Sequence, residues 1–314
     1  MKLLQHMANC LRARPFMMIL GRGTTDMAAL PRRFGRWIGA TEEKGRYLQL
    51  RVPMDWMDSS DLFGHLNLEG KFIPGAIIDY LKTAQNDPEK PYILCLDQIN
   101  LSRAEYYLRE VLTAVERSEP LVPMIYYGRD QEALSKYGEI PALKNLYIFG
   151  TTNLDYASLP LNQKLLDRVY TLYLREGDVT IENLAEESQN NDFLQPRYRS
   201  IGEDLSKAQE FFPLFEQLNK ILTEATSYMG YQLRNDAVLY LMNNELLPRQ
   251  EAEDHMICQK VLTRIQGTQK TIESVLCKLA EVCQDMYPLA FAAVNQMLEG
   301  CRLTNYASFW DERR

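Results

Sequence analysis

The sequence predicts an α/β fold, a sheet sandwiched by helices with a smaller helical region after it, and three observations predict it. Short apolar runs recur, each ending in glycine or polar residues: PFMMIL then GRGTTD, RYLQLRV at 46–52, PYILCLDQIN at 91–100 and LYIFGTTNLD at 146–155. Segments of helical periodicity lie between them, as a sheet built from strand–helix–strand crossovers requires. From Asp204 onward helical patterns dominate. In such a sheet the ligand site lies outside the carboxyl ends of the strands.

The elements follow in chain order. PFMMIL reads as a buried strand, GRGTTD as its turn, and a helix follows to about Ile38. After the strand at 46–52 comes a loop carrying Trp56 and the segment DLFGHL. The strand at 91–100 leads to a helix over about Arg103–Arg117, whose Tyr107, Val111, Ala114 and Val115 share one side. A connection at 119–142 is expected to hold a hairpin at VPMIYYG, and TLYL after LNQKLLDRVY reads as an edge strand. EESQNNDFLQPRYRS, around 185–200, marks the linker. The expected division is an α/β core over 1–185 and a linker with a C-terminal helical lid over 186–314.

Composition narrows the function. With 35 Lys and Arg against 42 Asp and Glu, the net charge is -7, which excludes a surface that is a nucleic-acid footprint throughout. The six cysteines form no CxxC pair and only three histidines are present, so no zinc site is expected. The N-terminal segment lacks the order of a secretory signal, and its apolar run is too short to span a bilayer. A cytoplasmic protein with reduced thiols is the expectation.

Three strand exits carry the chemistry. A phosphate cradle needs glycines, a lysine for the distal phosphates, a hydroxyl for magnesium and a helix N-terminus. Gly21, Gly23, Thr24 and Thr25 are placed for such a cradle, but Asp26, Met27 and Ala28 follow. Asp26 sets a carboxylate at the helix start, Met27 cannot neutralise a phosphoryl group, and Ala28 has no metal-binding oxygen. Pro31 either falls inside that helix, with loss of a backbone bond, or begins it. Asp97, at the exit of a buried strand, is the candidate magnesium ligand. Its neighbour Gln98 can hydrogen-bond water but cannot accept its proton as a glutamate does. Asn153 could orient water or the terminal phosphate beside Asp97, and Asn100 is expected to cap the next helix. Arg168 is placed either to reach a neighbouring subunit's phosphate or to pair with Asp167 or Glu176. Read singly, each also fits an ordinary turn or surface residue.

In order, these segments resemble the McrB-like AAA+ family, grouped with the dynein-related AAA ATPases. PFMMILGRGTTDMAALPRRFGRWIG falls at its Walker A region, LCLDQINLSRAEYYLREVLTAVE at Walker B, IFGTTNLD at sensor 1, and LNQKLLDRV at the arginine-finger region. The resemblance continues through SYMGYQLRNDAVLYL and CQKVLTRIQG to LTNYASFW. It implies a P-loop NTPase-like core with a helical lid, ATP or GTP with magnesium between subunits of a ring, and a partner nuclease such as McrC in DNA defence. Asp97, Asn153 and Arg168 match the family's pattern. The cradle departs from it: Thr24 and Asp26 replace glycines, Met27 the lysine, and Ala28 the hydroxyl residue. Gln98 replaces the acid after Asp97, and Gln232 the arginine expected after the lid's Gly-Tyr, with Arg234 two residues on.

The resemblance thus implies a degenerate subunit of an AAA+ homo- or hetero-oligomer, with Arg168 serving an active neighbour and DNA contact made through the assembly. Alternatives are a weak ATP or GTP hydrolase in which Arg22, Arg32 or Arg33 compensates for Met27, and a nucleotide-independent protein-binding adaptor without a cofactor. QPRYRS offers a short basic loop for DNA.

Overall fold

The computed structural model describes residues 2–21, 26–116, 125–138, 140, 143–154, 163–174, 194–225 and 229–310. Contacts divide the chain into two compact units, one of Arg14–Gln195 and one of Lys2–Ala13 with Pro196–Arg314.

Helix α1 (Lys2–Ala13) belongs to the second unit. The first unit holds β1 (Phe16–Gly21), α2 (Ala29–Trp37), β2 (Tyr47–Arg51), α3 (Ser60–Phe63), β3 (Gly64–Leu66), β4 (Phe72–Pro74), α4 (Ile78–Asn86) and β5 (Tyr92–Asp97). It continues with α5 (Ala104–Tyr107), α6 (Arg109–Glu116), α7 (Gln131–Tyr137), β6 (Leu146–Asn153), α8 (Gln163–Leu166) and β7 (Tyr170–Leu174).

Five strands form one sheet in the order β2-β5-β6-β1-β7, and every neighbouring pair is parallel. This is a parallel sheet of P-loop NTPase-like α/β form, with β7 at the edge expected for TLYL. Parallel strands covered on both faces read as continuous apolar runs, and β1 is buried from Phe16 to Gly21. Helix α2 packs on the sheet through Phe34, whose ring meets Phe149 of β6 edge-on at 5.6 Å. Gly35 leaves room for the sheet and for the chain after α2: a Cβ there would lie 3.2 Å from Tyr47 Cδ2, 3.3 Å from Ile93 Cδ1 and 2.5 Å from the Ala40 carbonyl oxygen.

The structure departs locally from these expectations. The helix expected over 103–117 is broken at Leu108 into α5 and α6. Asn100 does not cap it; its amide donates to the Asn153 carbonyl at 3.3 Å and so ties the exits of β5 and β6. The antiparallel hairpin β3–β4 and helix α7 occupy stretches read from sequence as loop or connection. Positions 122–124 of VPMIYYG lie outside the described residues, and Ile125–Gly128 form no strand.

The second unit contains α9 (Leu205–Gln209), α10 (Phe212–Leu222), α11 (Tyr231–Met242), α12 (Arg249–Met256), α13 (Gln269–Cys283) and α14 (Pro288–Thr304), with a hairpin of β8 (Gln266–Thr268) and β9 (Tyr306–Ser308). This is the helical C-terminal region the periodicity predicts. Its polar core centres on His6 of α1, whose Nδ1 lies 2.8 Å from the Tyr240 hydroxyl and whose Nε2 lies 2.6 Å from Gln259 Nε2. His6 also stacks on His255 at 3.8 Å. Asn9 donates to Asn244 at 2.7 Å, and Arg12 pairs with Glu245 at 3.0 Å. No described helix is long and apolar enough to cross a membrane.

Candidate functional site: the carboxyl edge of the sheet

Parallel pairing brings the strand exits together. Gly21 of β1 is in register with Asn153 of β6, and Arg51 of β2 with Asp97 of β5. Leu96 pairs with Gly150, which sets Asp97 beside Thr151. Arg51, Asp97 and Thr151 therefore form a row across three strands, with Asn153 two residues beyond Thr151 on the same face.

Hydrogen bonds lock this row. The Thr151 hydroxyl, on a residue 1% exposed, donates to Asp97 Oδ1 at 2.5 Å. Thr151 Oγ1 in turn accepts the Gln98 backbone N–H at 3.1 Å. Gln98 has a left-handed backbone, with φ 56 and ψ 50. For a non-glycine residue that conformation costs about 1–2 kcal/mol. The turn directs the Gln98 side chain to β2, where its Oε1 accepts from Arg51 Nη2 at 3.1 Å. Its backbone carbonyl accepts from Leu101 N–H at 3.0 Å. Gln98 is thus occupied as a structural bracket between β2 and β6.

Beyond β1, Gly23, Thr24 and Thr25 lie outside the described residues, as does Arg22. Asp26 is exposed, and its Oδ1 accepts the Ala29 N–H at 3.2 Å. Met27 and Ala28 are buried, at 8% and 5% exposure. The Met27 thioether lies over the end of β1, where a Cβ on Gly21 would come within 3.1 Å of its sulfur. Helix α2 begins at Ala29, so Pro31 is its third residue. An N–H in the first turn has no intrahelical acceptor, so proline sacrifices no helix bond here.

A magnesium–nucleotide would need a cation near the end of β1 and free oxygen ligands near Asp97. Positions 26–28 supply a carboxylate, a thioether and a methyl group, while Asp97 and Gln98 are engaged by Thr151 and Arg51. The described residues do not fit that group. Among the arginines considered as substitutes, Arg32 is committed to Glu42 at 3.2 Å and Gln49 at 2.8 Å. Arg33 has a buried Nη1 without a hydrogen-bond partner. No group of three or more potential metal ligands occurs among the described residues.

Arg168 lies elsewhere. It stands in the turn between α8 and β7, its N–H donating to the Leu165 carbonyl at 3.0 Å. Tyr170 opens β7 beside Met17, whereas Leu174 closes it beside Gly21. Arg168 therefore belongs to the amino edge, separated from the Asp97 row by the length of the strand, about 15 Å.

In the helical unit, Gln232 is exposed at the start of α11. Arg234 stacks on Phe212 and Tyr231, at 4.4 and 5.2 Å from the ring centroids, and donates to Asn235 Oδ1. Within QPRYRS, Arg197 lies over the Tyr198 ring, as does Lys207 of α9, and Asn243 brackets that tyrosine's backbone N–H and carbonyl.

Sequence reasoning missed Arg51 and Thr151. The signal for Thr151 was the two-residue period that puts it on the face of Asn153. Arg51 needed the β2–β5 register, a long-range fact.

A family model described as a domain of unknown function, DUF8727, matches residues 180–306, less than half of the chain. No curated protein matches. A solved structure from Cytophaga hutchinsonii, described as a "putative ATPase", superposes with a TM-score of 0.48 and 11% identity, covering 84% of this chain and 82% of that one. A likeness of that size carries no argument, and the P-loop NTPase-like form of the core rests on its strand order and parallel pairing.

Proposed function

We propose that the chain is a catalytically degenerate, McrB-like AAA+ subunit that completes or regulates a nucleotide-dependent assembly, with an active AAA+ subunit as its partner. The observation that carries this reading is the contrast between the sheet's two edges. At the carboxyl edge Met27, Ala28 and Gln98 stand where the resemblance expects a lysine, a hydroxyl residue and an acid, while Arg168 lies at the amino edge, too far to serve its own strand exits. An arginine so placed acts in trans, on phosphate held by a neighbour. A McrC-like nuclease and DNA contact through the assembly belong to the same proposal.

The test mixes the purified chain with an active McrB-like AAA+ subunit and follows turnover of ATP and GTP. Arg168→Ala is expected to lower turnover in the mixed assembly by roughly 10³-fold or more, with the mass of the assembly unchanged. Asp97→Ala is expected to leave that turnover intact. Full turnover with Arg168→Ala in the assembled complex contradicts the reading.

A further inference from the structure

The carboxyl edge holds a cation of its own. Arg51 is exposed at the last position of β2, in register with Asp97, and its Nη2 is fixed at 3.1 Å on the side chain that follows Asp97. Gln98 is held in its left-handed turn by the bond from its N–H to Thr151, so the amide carbonyl that receives the guanidinium is itself positioned. We propose that the Arg51 guanidinium, tethered by Gln98, is the resident cation of this edge and stands in for a divalent ion beside Asp97, making the site refractory to metal. The inference rests on the degenerate-subunit reading and gives its silence a physical cause.

Two arguments support it. A hard divalent ion needs several oxygen ligands; here one Asp97 oxygen receives the Thr151 hydroxyl and the Gln98 oxygen receives Arg51. A positive charge held on Gln98, the residue next to Asp97, also repels a second cation, and a guanidinium stays charged at any working pH. Glutamate at position 98 alone would therefore not restore a metal site, because Arg51 would pair with it.

The experiment uses the full chain with manganese chloride alone as the probe and measures free Mn²⁺ by electron paramagnetic resonance. The parent and Gln98→Glu are expected to show the same weak background, unaffected by Asp97→Asn. Arg51→Ala/Gln98→Glu is expected to bind about tenfold or more tightly, and adding Asp97→Asn is expected to return it to background. Arg51→Lys/Gln98→Glu, which keeps the charge, stays at background. If the alanine variant fails to fold, Arg51→Gln/Gln98→Glu replaces it. Equal binding by Gln98→Glu with and without Arg51, or no gain in a folded double variant, overturns the proposal. Asp97-dependent Mn²⁺ binding by the parent also overturns it and leaves the trans role of Arg168 standing. Loss of that role on Arg168→Ala, by contrast, is read in the mixed assembly and does not involve Arg51.

Discussion

Thr151 is the residue on which the strand-end row depends. Its hydroxyl serves Asp97 as donor and the Gln98 N–H as acceptor, so one substitution leaves two polar groups short of a partner. Thr151→Val is expected to destabilise the chain by about 1–3 kcal/mol, while Thr151→Ser retains most of the stability; urea unfolding midpoints check both. Asp97, Gln98 and Asn153 were legible as a strand-exit group because each follows a buried apolar run. What they do was not legible, since the Gln98 side chain is claimed by an arginine 47 positions earlier in the chain. The Asp26 carboxylate, three residues before Ala29, accepts that residue's N–H.

Among elements, α1 shows how a polar face can dock a helix. His6, Asn9 and Arg12 are buried and meet Tyr240, Gln259, Asn244 and Glu245. Burial holds the His6 imidazole well below its ordinary 6.5, and the adjacent His255 adds to the effect. His255 is pushed down to about 4 by burial, against the raising effect of Glu251. Both rings are neutral in the folded chain at pH 7, whereas the unfolded chain takes up protons below about 6.5. Their stabilisation is therefore complete above pH 6.5 and is lost as pH falls below it, through about 4 for His255 and through the similarly depressed value of His6. The urea midpoint is expected to be level above neutrality and to fall from about pH 6.5 toward 4, with a shallower fall in His6→Gln/His255→Phe. An equal fall in that variant contradicts the assignment. The five strands of the sheet were legible from apolar runs alone. Helix α1 is written in the sequence only as Leu4, Met7, Ala8 and Leu11 at helical spacing, a period too short to stand out among the polar residues His6, Asn9 and Arg12 that it also buries.

At the scale of the whole molecule, the two edges of one sheet carry different chemistry. The succession of strands and helices predicted an α/β core and a helical region, and both are present. Strand order was beyond local pattern, because parallel pairing joins residues far apart in sequence. The assignment of Lys2–Ala13 to the helical unit was equally non-local. That order places Arg168 at the amino edge and Asp97 at the carboxyl edge of the sheet. The most direct test is ATP and GTP turnover by the purified chain alone, with magnesium, compared with its Asp97→Ala variant. The account predicts that the two are indistinguishable and at background; turnover by the parent that is lost in Asp97→Ala contradicts it.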